Sequence, residues 1–234
     1  MKKGILLLPL VALIGDVQAA ERYDWTGFYA GANVAMSTFE TDTRDYWCWY
    51  ACDAPNTVED GVTYGIQTGY NYQVDDTFVV GVELDYQTGQ DSSTTVKFNQ
   101  TDGVNWDSEW KSLMSLRLKA GLAADRTLVY VTGGIAQADA EFSAAEFDPT
   151  PNPNGLDRAK KDETLSGYIY GMGVEHAFTD MISARMEYLT SSMESADACW
   201  RDNTGCNNSA GANDDVVSWN TSNSSIRFGV NMLF

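Results

Sequence analysis

Hydrophobic residues in this chain recur with a period of two, and charged residues within the alternating stretches keep to the opposite phase. In segment 78–86, Phe78, Val80, Val82, Leu84 and Tyr86 alternate with Gly81, Glu83 and Asp85. In 110–122, Trp110, Met114, Leu116, Leu118 and Leu122 alternate with Lys111, Ser115, Arg117, Lys119 and Gly121. Segments 27–39, 62–74, 168–178, 182–188 and 225–234 repeat the pattern, with Glu175, Arg185, Glu187 and Arg227 again off the apolar face. Side chains that alternate between two environments belong to β-strands. An eighth segment, 128–142, reads as a strand from its β-branched start, but Val129 and Val131 compete with Tyr130 and Thr132 for the apolar face, so its facing stays open.

Connections between these segments alternate in length. Asp75-Asp76, 123–127 and 179–181 are tight, whereas 40–61, 89–108, 143–163 and 194–221 are long and polar. This spacing predicts an all-β fold: an eight-stranded antiparallel up-and-down barrel with short turns at one end and four long loops at the other. The charges decide which side is apolar. A water-soluble barrel turns apolar side chains inward and charges outward, but here the charges of the opposite phase would fill the lumen and the uncharged face would meet lipid. Arg or Lys on a lipid face costs about 2–4 kcal/mol at the midplane. The expectation is therefore a transmembrane β-barrel with periplasmic turns and extracellular loops. Tyr70, Tyr72, Phe78, Phe178 and Phe234 would form one interfacial aromatic girdle, and Tyr64, Tyr86, Trp110, Tyr168 and Tyr188 the other.

The N-terminus agrees with export. Lys2 and Lys3 precede an apolar run over 5–14, and Val17-Gln18-Ala19 supplies small residues at cleavage offsets, so residues 1–19 read as a signal peptide and 20–234 as the barrel domain. The apolar run is shorter than the roughly 20 residues a membrane helix needs. A formal net charge of −18, with 15 Lys+Arg against 33 Asp+Glu, argues against nucleic acid as a partner, because phosphate contacts need clustered cations. The expected loops carry most of that charge, with −5, −2, −2 and −4 over 40–61, 89–108, 143–163 and 194–221.

Several motifs resemble a known family. Trp25-Thr26-Gly27-Phe28-Tyr29-Ala30-Gly31, Asp125-Arg126-Thr127-Leu128-Val129-Tyr130-Val131-Thr132-Gly133-Gly134, Gly173-Val174-Glu175-His176-Ala177 and a terminal Phe234 are similar to the Omp25/Omp31-like, OmpA-type outer-membrane β-barrel surface proteins of Gram-negative bacteria. The resemblance implies insertion by the β-barrel assembly machinery, with Phe228, Val230, Met232 and Phe234 as the C-terminal assembly signal. It also implies roles in envelope integrity or host-surface contact rather than catalysis. With the sequence stopping at Phe234, no periplasmic peptidoglycan-binding domain is expected. His176, where the family often has an aromatic, and the four cysteines depart from the pattern.

Within the barrel, Glu83, Asp85, Arg117, Lys119, Glu175, Arg185, Glu187 and Arg227 are expected to form an ion-pair network that plugs the lumen. The alternative use of such charges is a small porin-like channel. An outer-membrane enzyme acting on lipid A or peptides is the rival class, but the single histidine, His176, falls near a periplasmic turn on the lipid-facing phase, so no catalytic residue is assigned. Cys48, Cys52, Cys199 and Cys206 are disulfide candidates in an oxidising compartment. The local pairs Cys48–Cys52 and Cys199–Cys206 need the least loop closure, while cross-loop pairing stays open, and a four-cysteine metal site is not expected. No cofactor motif is present. Trp47, Trp49, Tyr50 and Trp200 make a loop patch that is either a binding surface or self-packed aromatics. The partners expected are outer-membrane lipid, lipopolysaccharide and a host or cell-surface ligand.

Overall fold

Alternating strands joined by tight turns close into a barrel when the last finds the first, and this chain does so. A computed structural model describes residues 23–45, 57–97, 103–147, 158–199 and 216–234. Its strands are β1 (Gly27–Asp45), β2 (Thr57–Gln73), β3 (Phe78–Lys97), β4 (Gly103–Ala124), β5 (Thr127–Phe147), β6 (Arg158–Ala177), β7 (Ile182–Met193), β8 (Ala196–Cys199) and β9 (Val216–Leu233). Each strand through β7 pairs antiparallel with the next, β7 pairs with β9, and β9 pairs with β1 to complete the cylinder. The short β8 pairs with the upper part of β9 and carries on the stave that β7 begins, so eight staves make the wall. Between the turns and the level of Gly65 and Gly167 every stave is paired on both sides, as backbone crossing a bilayer requires.

The periplasmic turns have local causes. The Asp75 carboxylate accepts hydrogen bonds from the backbone N–H of Thr77 (2.8 Å) and Phe78 (2.7 Å), which hold its pKa below the ordinary carboxylate value. Asp125 takes the left-handed conformation, φ 51°, in the turn it forms with Arg126 between β4 and β5. Thr179 Oγ1 accepts from the N–H groups of Met181 and Ile182.

Two expectations need correction, and one question left open by the sequence is decided. Parts of segments 40–61, 89–108, 143–163 and 194–221 are barrel wall rather than loop, because β1 runs to Asp45, β3 to Lys97 and β5 to Phe147, β2, β4 and β6 start as early as Thr57, Gly103 and Arg158, and β8 and β9 take Ala196–Cys199 and the chain from Val216. A strand needs about 9–11 residues to cross the hydrocarbon, whereas β4 has 22. Above the lipid the outer face of the wall meets polar surroundings, so the outward apolar phase stops while the strand continues.

Trp110 is the second correction. Instead of joining the outer girdle it is buried in the lumen, because the β4–β5 register slips between Trp110 and Ser112. That bulge turns Lys111 outward and puts both Trp110 and Leu113 inside. On the other side of β4 the pairing skips from Thr88–Ser112 to Gln90–Trp110, and a Cβ on Gly89 would lie 1.4 Å from the Trp110 carbonyl oxygen. Glycine is what lets β3 approach the bulge. The third point concerns β5, whose facing is now decided: Val129, Val131 and Ile135 face lipid, while Leu128, Tyr130 and Thr132 face the lumen.

Candidate functional site: a filled lumen and a banded outer wall

Inward side chains fill the barrel in layers. At mid-height, Glu83 and Asp85 on β3, Arg117 and Lys119 on β4, Glu175 on β6, Arg185 and Glu187 on β7 and Arg227 on β9 are all buried. The register sets Glu83 opposite Arg117, Glu175 opposite Arg185, and Glu187 opposite Arg227. Glu83 is the hub. It takes charged hydrogen bonds from Arg117 and Arg185, accepts the Tyr29 hydroxyl at 2.6 Å, and lies 3.6 Å from Lys119 Nζ. Asp85 binds Arg117 Nε at 3.1 Å, Arg227 Nη1 at 2.9 Å and the Ser115 hydroxyl. Glu187 meets Arg117 Nη1 at 3.4 Å and Arg185 Nη2 at 3.3 Å, and accepts the Tyr130 hydroxyl at 2.9 Å. Lys119 Nζ sits 4.4 Å from the Tyr130 ring centroid and 3.7 Å from Glu175. Four acids and four bases thus compensate one another away from bulk water.

Beside the charges runs a directed chain of amides. Gln87 Nε2 donates to Asn33 Oδ1 (2.8 Å), Asn33 Nδ2 to Gln67 Oε1 (2.7 Å), Gln67 Nε2 to Asn231 Oδ1 (2.8 Å), and Asn231 Nδ2 to Glu175 Oε1 (2.8 Å). Glycine on the inward face gives them room. A Cβ on Gly31 would stand 2.3 Å from Asn231 Oδ1 and 2.5 Å from Gln67 Nε2, and one on Gly173 would stand 2.6 Å from the Tyr130 ring.

Apolar layers seal both ends. Toward the cell exterior, Phe39 packs on Trp110 with centroids 5.2 Å apart and Phe142 stacks on Trp219 at 5.4 Å, with Leu113, Leu165, Ile169 and Leu189 around them. Toward the periplasm, residues 23–26 turn under the barrel and bury Trp25 beside Val79, Leu128 and Ala177. Trp25 N donates to Gln73 Oε1 at 3.0 Å, Tyr23 meets Trp25 edge-on at 4.8 Å, and Arg126 covers the Tyr23 ring while pairing with Asp180. These layers, with Tyr29, Tyr130 and the amides, are what sequence reasoning missed. Their signal is present in the inward phase, where large side chains alternate with glycines.

Outside, the wall is banded. Tyr188, Ile226, Met36 and Val62 stand side by side on β7, β9, β1 and β2, and the next outward row on the same strands is Thr190, Ser224, Thr38 and Asp60. Thr38 donates to Asp60 at 2.6 Å. On the far side Thr88, Ser112, Asp139 and Thr164 form the matching row, with Thr164 donating to Asp139 at 2.7 Å. The upper edge of the lipid belt lies where these rows turn from apolar to polar: at Thr88 and Ser112 above Tyr86 and Met114, and one row lower on β5 and β6, where Gln137 and Ser166 stand above Ile135 and Tyr168. Higher still, Lys111 (3.1 Å) and Lys160 both bind Glu141, and these bonds hold its carboxyl down to about 2.

Tyr64, Tyr86, Tyr168 and Tyr188 are exposed at the upper edge, and Tyr72, Phe78, Phe178 and Phe234 at the lower. Phe228, Val230 and Met232 face outward on the closing strand β9, and Phe234 follows it with its N–H bound to the Phe28 carbonyl at 2.8 Å. His176 also points outward, with Nδ1 3.0 Å from Thr127 Oγ1 and its ring edge-on to Phe178. Residues 1–19, Trp47, Cys48, Trp49, Tyr50, Cys52, Trp200 and Cys206 lie outside the described residues, as does the side chain of Cys199 at the end of β8.

Comparison with known proteins agrees with this geometry. A family model for the outer membrane protein beta-barrel domain matches residues 5–234. The chain is 26% identical over 180 residues to the 31 kDa outer-membrane immunogenic protein of Brucella melitensis, covering 72% of this chain and 71% of that one. It is 29% identical over 176 residues to the 22 kDa outer membrane protein of Rhizobium leguminosarum, covering 74% and 66%. Among solved structures it is similar to the outer membrane protein OprG of Pseudomonas aeruginosa, with TM-score 0.54, 12% identity, and 91% and 99% of the two chains covered. It is also similar to the outer membrane protease OmpT of Escherichia coli, with TM-score 0.52, 9% identity, and coverage of 92% and 99%. At such identities the likeness to these structures is one of fold alone. A lipid-facing belt around a charge-filled lumen and a match to that family model over nearly the whole chain lead to one conclusion: this chain belongs to the outer membrane protein beta-barrel family, as an outer-membrane barrel of the Omp25/Omp31 type.

Proposed function

We propose that the barrel is a closed, non-catalytic surface anchor that stabilises the envelope through its outer wall and carries adhesive loops above it. The observation that supports this reading most directly is the layered lumen, where compensated charges lie between two apolar seals. A conducting pore of this size would need a continuous hydrated path, and Phe142 with Trp219 above and Trp25 below interrupt one. Purified protein in planar bilayers is expected to give no steady conductance, and a large, stable open channel in every preparation would overturn the closed-lumen reading. His176, facing the lipid belt beside a periplasmic turn, supports the non-catalytic half of the proposal, because a general base must reach its substrate's proton.

The wall's extension past the lipid edge favours a second role for the loops. Raised on strands that continue well above the Thr38 and Asp139 rows, they would meet host or neighbouring cell surfaces, while the rows themselves face the sugars of lipopolysaccharide. Trimming the segments between β1 and β2 and between β8 and β9 is expected to abolish cell attachment while leaving heat-modifiable migration intact. Attachment that survives both deletions would remove the adhesive role and leave the envelope role standing.

A further inference from the structure

Between the charge belt and the outer apolar layer lies a small enclosed cavity bordered by Gln87, Trp110, Asn223 and Arg227, together with Ser37 and Thr63. Its volume, about 10 Å3 for water-sized spheres, is that of one molecule. The first four residues are each more than nine-tenths buried, and each carries a polar atom that has no hydrogen-bond partner among the described residues: Trp110 Nε1, Arg227 Nε, Gln87 Oε1 and Asn223 Oδ1. Buried polar groups are almost always paired, since leaving them unpaired at this depth is costly.

We propose that this cavity is a binding site for one ordered water, which accepts from Trp110 and Arg227 and donates to Gln87 and Asn223. The complement of two donors and two acceptors selects water over other small ligands. A cation would face the Arg227 guanidinium, and an anion would face two carbonyl oxygens. The water completes a circuit. Gln87 begins the amide chain that ends at Glu175, and Arg227 is bound to Asp85, so one molecule joins the amide chain to the charge belt beneath the Phe39–Trp110 contact. The site extends the closed-lumen reading, because a water held this way exchanges slowly only if the seal above it holds.

The test uses the full barrel in lipid nanodiscs, with the Trp110 indole N–H resonance assigned by its loss in Trp110→Phe. The expected result is a nuclear Overhauser cross-peak between that proton and water, on an indole protected from exchange with D2O. A protected indole without the cross-peak would overturn the water site alone, whereas an indole that exchanges at once would overturn the water site and the seal together. A mutant cycle gives a second measurement. Trp110→Phe and Asn223→Leu should each lower the folded-to-unfolded ratio by roughly tenfold, and the double variant by much less than the product, because both act through one molecule. Full additivity would count against a shared water.

Discussion

Glu83→Leu is expected to cost about 3–5 kcal/mol of barrel stability, the range for removing one partner of a buried ion pair. Urea titration in lipid vesicles, read by the loss of heat-modifiable migration, measures it. The reason is the hub geometry: Arg117, Arg185 and Lys119 all converge on Glu83, so its loss leaves four lumen cations facing three anions. Restoring neutrality with a second change, Arg185→Met, is expected to recover most of the loss, because apolar replacement of a whole buried pair is often neutral or better. A single variant that unfolds within 1 kcal/mol of the parent, by the same cited scale, would mean that water reaches the belt and that the apolar layers do not seal it.

Leu118→Arg should be the most costly change on the outer wall. Leu118 is 70% exposed, on β4 between Val82 and Gly133 of the neighbouring strands, inside the lipid belt. Placing a guanidinium there should cost about 2–4 kcal/mol, falling to about 0–1 near the interface. Ser222→Arg supplies the comparison. Ser222 pairs with Glu40 and Ser192, one outward position above the row of Thr190, Ser224, Thr38 and Asp60, where a charge meets polar surroundings. Equal and small effects at the two sites would mean that the band around Leu118 is not in hydrocarbon. Surface exposure in water would make Leu118→Arg harmless, so the pair of variants separates a lipid belt from a wetted one.

Particular residues show how far the sequence could be read. Glu83 and Arg117 were legible as inward and opposed because they stand in phase on two strands joined by one connection, and a strand's faces follow from its parity. Trp110 was not, because parity holds only while the register does, and a bulge is set by how β3, β4 and β5 fit together rather than by the residues on β4 alone. The facing of β5 was undecided for a related reason. Tyr130 looks as suited to a lipid girdle as to a core, and only the hydroxyl contact to Glu187, 57 residues along the chain, shows what it serves.

The barrel, its lipid-facing phase and the charged lumen were determined by the amino-acid sequence, since hydrocarbon excludes charge from every outward position it touches and so stamps a period of two on the chain. Where the wall ends was left to the tertiary structure, because above the lipid the outward face is no longer held apolar, and inter-strand pairing carries β1 to Asp45 and β4 from Gly103 in the sheet. The same holds inside. Closure of β9 on β1 brings Arg227 to Asp85 across 142 residues and Asn231 to Gln67 across 164, distances in sequence at which no local pattern can choose a partner. Chain parity sets the direction in which a side chain points, but register and closure set what it meets.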